Sequence, residues 1–216
     1  MNKVRSIAVA AVAGLAAQSA AGVILTYGFT DLNGSYNHPN QAFSAVADDN
    51  TAGDVSRLAN PNGTANFDDG FINRSAFANV TINLSVFNKV GNLAQGSGTF
   101  EIVDNDGDIL SGDINGTWIG GSLGVYFNGD LSNVLITSVS ADATFDGVDG
   151  GSFGDTLPGI PPYEGVFIQL FIRSGGFFTS SFSNRSVQAS GEIVPNVGSI
   201  ALLGVAGIAG LRRRRA

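Results

Sequence analysis

Aspartate carries most of the potential chemistry in this chain. Asp104, Asp106, Asp108 and Asp113 fall close together in the run EIVDNDGDILSGDIN. Calcium and other hard cations take several oxygen ligands from a short flexible loop, and alternating aspartates beside a glycine supply that donor type. Measured against an EF-hand loop, however, the glycine comes one place early and no bidentate glutamate follows at the required distance. A tight turn also selects Asp and Gly on conformational grounds alone. A looser group, Asp142, Asp146, Asp149 and Asp155, is spread among Gly147, Gly150, Gly151 and Gly154. Neither group has the spacing of a defined metal site, so no metal or other cofactor is expected.

Nucleophilic chemistry finds less support. Gly120-Gly121-Ser122-Leu123-Gly124 and Gly150-Gly151-Ser152-Phe153-Gly154 both match Gly-x-Ser-x-Gly. That pattern has meaning only on the strand-to-helix turn of an α/β fold. The one histidine, His38, sits in the polar segment NGSYNHPN and reads as a surface-loop residue. Glycosidase chemistry needs two carboxylates at a set separation in a cleft, and none of the three glutamates, Glu101, Glu164 and Glu192, lies in an aromatic-rich context. No catalytic residue is assigned, and the chain is not expected to be an enzyme. Trp118 and Tyr126, eight residues apart on one expected strand, would share a face; core packing is the preferred reading and a sugar platform the other.

The elements that must position these groups are strands. Val80, Ile82, Leu84 and Val86 alternate with Thr81, Asn83 and Ser85, the period of a half-buried strand. Further strands are expected from Val23 to Phe29, Ala42 to Ala47, Gly98 to Val103, Ile109 to Asn115, Thr117 to Phe127, Asn133 to Val139, Val166 to Ile172, Phe177 to Phe182 and Val187 to Ile193. The Asn-Gly steps at 33–34, 62–63, 115–116 and 128–129 and Asp106-Gly107 read as turns. Residues 48–69 and 142–163 read as long surface loops. The pattern predicts a single all-β domain, an antiparallel β-sandwich or up-and-down barrel, with an N-terminal signal helix before it and a C-terminal transmembrane helix after it.

Those flanks follow from the ends of the sequence. Lys3 and Arg5 precede an apolar segment and then the small residues Ser19, Ala20 and Ala21, the layout of a secretory signal peptide over residues 1–21. The other end reads EIVPNVGSIALLGVAGIAGLRRRRA. Its uncharged stretch closed by Arg212, Arg213, Arg214 and Arg215 is oriented by the positive-inside rule with the basic end in the cytoplasm. This tail, residues 193–216, resembles the PEP-CTERM sorting signal of exported bacterial proteins, in which a Val-Pro-Glu-Pro box precedes an apolar helix and an Arg cluster. Here the box is Val194-Pro195-Asn196-Val197, lacking the Glu and the second Pro, while Gly198 and the ALLG run are in place. The resemblance implies an exosortase-type processing enzyme as partner, an anchoring C-terminal helix, and a Gram-negative-type envelope of the kind that carries exopolysaccharide and biofilm. A plain tail anchor is the alternative.

Between the flanks, residues 22–192 form the exported domain. Its five basic residues, Arg57, Arg74, Lys89, Arg173 and Arg185, face all 18 acids, a net charge of about −13. That balance excludes a nucleic-acid partner, which needs a basic patch. With no cysteine, the domain must be held by its core alone. The expected function is that of a structural or adhesive protein at the cell surface or in the extracellular matrix. A carbohydrate-binding module acting on secreted polysaccharide is the alternative, and a polysaccharide-degrading enzyme comes third.

Overall fold

In the computed structural model, residues 22–68, 71, 75–159, 161–173 and 176–195 are described. Twelve strands occur among them: β1 (Leu25–Asn37), β2 (Ala42–Val46), β3 (Ala52–Arg57), β4 (Gly63–Phe67), β5 (Asn79–Val90), β6 (Leu93–Val103), β7 (Ile109–Gly120), β8 (Gly124–Thr137), β9 (Thr144–Asp146), β10 (Ser152–Gly154), β11 (Tyr163–Arg173) and β12 (Phe182–Val194). The all-β, antiparallel expectation therefore holds for the described residues. The expected signal helix and transmembrane helix fall outside them; of the sorting-signal segment only residues 193–195 are described, and Ile193 and Val194 close β12.

Eight strands close on themselves in the order β1, β2, β5, β6, β7, β8, β11, β12 and back to β1. Closure removes the exposed edges that an open sheet of this length would present. The hydrogen-bonded row is staggered, as closure requires. From Asn33 it passes through Val46, Thr81, Glu101, Ser111 and Leu135 to the foot of β11, beside the end of β12 and the start of β1.

At Asp31, a residue with φ of 56°, the register of β1 against β12 shifts and the inward set changes from Tyr27 and Phe29 to Leu32 and Tyr36. This bulge marks a fork. The second half of β1 pairs with β2, whereas its first half pairs with β3, which in turn pairs with β4. The β3–β4 flap and the small β9–β10 hairpin lie side by side, with Asn66 N–H donating to the Gly150 carbonyl and Asp149 N–H to that of Asn66, both at 3.0 Å. Four strands thus stand in the two segments expected to be irregular. Their apolar residues are too few for a visible alternation; Val55, Ala65, Phe67, Phe145 and Phe153 carry the burial.

Aromatic rings fill the interior. Trp118 is fully buried, with ring centroids 4.8 Å from Phe127, 4.9 Å from Phe178 and 5.0 Å from Phe43. Tyr27 stacks on Phe100 at 5.6 Å. Inward glycines make the room: a Cβ on Gly96 would lie 2.5 Å from Trp118 Nε1, and one on Gly116 would lie 2.7 Å from the Phe127 ring. This corrects the turn reading of three Asn-Gly steps, because Asn33-Gly34, Asn115-Gly116 and Asn128-Gly129 run through strand interiors. Asp106-Gly107 does turn the chain, with Gly107 at φ 110°. The strand expected from Phe177 to Phe182 is mostly a bend that drops Phe178, at φ 49°, onto Trp118 and Tyr36.

The strands alternate in direction, so each rim has a distinct set of connections. One rim holds the turns at 38–41, 91–92 and 121–123. The other holds the 104–108 turn, the flap, the 138–162 connection and both ends of the described body.

Candidate functional site

The second rim brings together two groups of acids that lie far apart in sequence. The β6–β7 turn is wound around Asp104, whose Oδ1 accepts the backbone N–H of Asp106 at 3.1 Å and those of Gly107 and Asp108 at 2.9 Å. Its Oδ2 accepts the N–H of Asp146 at 2.8 Å. Asp108 Oδ1 accepts the N–H groups of Val139 and Ser140, and its Oδ2 the Ser140 hydroxyl. Both carboxylates are fully buried. They act as acceptors for loop backbone that would otherwise lose its hydrogen bonds on leaving water.

Asp106 is placed differently. It is half-buried, and its Oδ1 is buried with no hydrogen-bond partner among the described residues. Carboxylate oxygens of Asp104, Asp106 and Asp108 lie within 4.8 Å of one another, and so do those of Asp106, Asp142 and Asp146. Asp106 is therefore the shared member of two acidic triads. Burial pushes the pKa of Asp104 up to about 6; the N–H donors of Asp146, Gly107 and Asp106 oppose the rise and the Asp106 carboxyl reinforces it. Burial also raises Asp146, helped by the charges of Asp142 and Asp106. Asp142 goes the other way, held down by the Thr144 N–H and the Ser140 hydroxyl.

The donor type suits a hard divalent cation, and Asp106, Asp142 and Asp146 are the residues with coordination capacity to spare. Asp104 and Asp108 are already committed to backbone, which gives them a complete structural role. Asp113 leaves the group entirely. It belongs to β7 and accepts from Asn133 Nδ2 at 2.7 Å on the outside of the sheet. Asp155 binds the Ser138 hydroxyl, away from both triads. Sequence reasoning counts Arg57 toward the net charge and gives it no role. It is 7% exposed at the end of β3 and donates from Nη1 to the Gly154 carbonyl at 2.7 Å, fastening the flap to β10.

The remaining candidates separate. Ser122 lies in the β7–β8 turn and Ser152 opens β10; neither bonds to His38, whose own N–H donates to Ser181 Oγ in an exposed turn. Trp118 and Tyr126 do not share a face. The turn at 121–123 puts them on neighbouring strands, where Trp118 pairs with Phe127 and Ile119 with Tyr126. Trp118 is buried and Tyr126 is 37% exposed. Of the sorting-signal residues, Val194 ends β12 opposite Glu164 and Pro195 follows it half-buried. Gly198, Arg212, Arg213, Arg214 and Arg215 lie outside the described residues.

No family model, characterised protein or solved structure matches the chain. The functional argument therefore rests on the residues and geometry above.

Proposed function

We propose that this chain is an exported bacterial surface protein with a structural or adhesive role, delivered by its N-terminal signal peptide and C-terminal sorting signal. Its body is displayed at the cell surface or released into the extracellular matrix, and its partners are an exosortase-type enzyme, the membrane through the C-terminal helix, and extracellular polysaccharide. The observation that supports this best is the placement of the two ends. Ile24 N–H donates to the Ile193 carbonyl at 2.8 Å, so the chain enters and leaves the barrel at adjacent points on one rim. A tether attached at Val194 would start on the rim opposite the turns at 38–41, 91–92 and 121–123. The net charge of about −13 adds self-repulsion between copies and opposes anionic partners.

The test is intact-mass analysis of the protein from the membrane and the medium of its native host. The proposal expects loss of residues 1–21 and a released species ending near Pro195. Recovery of only tail-bearing protein in the membrane replaces the sorting signal with a plain anchor. Recovery of the unprocessed chain in the cytoplasm overturns export.

A further inference from the structure

The outer wall formed by β11, β8, β7 and β6 carries two parallel rows of side chains that differ in kind. One row is apolar: Phe171, Tyr126, Ile119 and Leu93 are successive cross-strand partners. Tyr126, Ile119 and Leu93 are 37%, 38% and 52% exposed. The Tyr126 and Phe171 rings sit 4.8 Å apart, only 31° from parallel. The adjacent row on the same face is hydrogen-bonding: Gln169, Asn128, Thr117 and Gln95, again successive partners and all exposed. With strands about 4.8 Å apart, the double strip runs for about 14 Å.

At its β11 end the strip meets a depression of about 480 Å³, lined by the small residues Gly28 and Ser190 together with Gln188, Gln169, Phe171 and Tyr126. Neither row contains a charged side chain, and none lines the depression. In a body of net charge about −13 this is an uncharged strip on an acidic protein. A nucleic acid would meet no cation within it and only Arg173, two residues beyond Phe171 on β11, at its border. A buried-core function is also excluded, because the side chains face outward from a wall whose inner face is already packed.

We infer that this strip binds a neutral polysaccharide. A pyranose ring has one apolar C–H face and a hydroxyl edge. The apolar row offers aromatic and aliphatic surface to the first. The amide row offers paired donors and acceptors to the second. Gln169 Nε2 already donates to Asn128 Oδ1 at 3.0 Å, which fixes the orientation of both amides and leaves the Gln169 oxygen and the Asn128 nitrogen available. The length of the strip, greater than one sugar ring, favours a polymer over a monosaccharide. This inference rests on the adhesive reading only in naming the surface that would do the adhering.

The test is native affinity electrophoresis of the full chain in gels containing hydroxyethyl cellulose, dextran, galactomannan or alginate, with thermal melts to check that variants fold. Retardation by at least one neutral polymer and none by alginate is expected, with about tenfold weaker retardation for Tyr126→Ala and for the Gln169→Ala/Asn128→Ala double variant. Free migration in all three neutral gels overturns the inference. So does retardation that folded Tyr126→Ala retains. Concentration-dependent self-association abolished by Tyr126→Ala assigns the strip to a second copy instead. These outcomes are independent of where the host sends the protein, so a negative gel leaves the export proposal standing, and a cytoplasmic location leaves a positive gel standing.

Discussion

Asp104 Oδ2 accepts the backbone N–H of Asp146 across 42 residues of chain, at 2.8 Å. This bond joins the β6–β7 turn to the β9–β10 hairpin and holds the two acidic groups in one place. It also puts Asp106 beside carboxylates that have no basic partner among the described residues to offset them.

The pH dependence follows from the raised pKa values of Asp104 and Asp146. The folded state holds those protons more tightly than the unfolded chain does. Stability therefore rises as pH falls through about 6 toward the ordinary carboxylate range, and the penalty is fully present above that. The opposite shift of Asp142 offsets part of this. A higher Tm at about pH 5 than at pH 7 is expected by calorimetry, and a drop in Tm over that interval contradicts it.

Asp106→Asn removes the shared charge while keeping the loop backbone bonds. It should stabilise the protein at pH 7 by on the order of 1 kcal/mol and flatten the pH profile. Chemical denaturation at two pH values reads both effects.

Asp108→Ala is expected to do the reverse. It strands the N–H groups of Val139 and Ser140 and should lower stability by about 1–3 kcal/mol, with faster amide exchange at those two positions.

Gly96→Ala tests the fit of rings against glycines. Its Cβ would press on Trp118 Nε1 and the Phe127 ring, so a loss of about 1–3 kcal/mol is expected. Trp118 is the only tryptophan in the chain. Its fluorescence should be blue-shifted in the native protein and move to the red in the variant; unchanged emission and stability would show that the interior is looser than described.

Arg57→Met removes the bond to Gly154. A loss of about 1.5–3 kcal/mol is expected. Exchange should rise first in β3 and β4 while the ring of eight strands stays protected, because β1 is the one strand of that ring with which the flap pairs.

Much of the barrel was legible because its strands alternate. Val80, Ile82, Leu84 and Val86 are all buried as their spacing predicts. Glycine was the main source of misreading. Asn115-Gly116 has the composition of a turn, but the fold uses the missing side chain to admit a ring, and composition cannot distinguish those uses. Trp118 and Tyr126 fall on one face only when parity is counted straight through 121–123, where a turn resets it. The convergence of Asp106 on Asp142 and Asp146 depends on how the 138–162 segment folds back, and no local pattern encodes that return. Asp113 could have been set apart, since strict alternation from buried Ile114 already points it outward.

The joined ends would decide how the molecule bears load if it is tethered as proposed. Tension between a tether at Val194 and a polymer held against the wall at Tyr126 would act largely along β12 and its neighbours, while the ladder bonds that join β12 to β1 and β11 lie across that direction. Those bonds would be strained together in shear and share the force instead of opening one after another from an end.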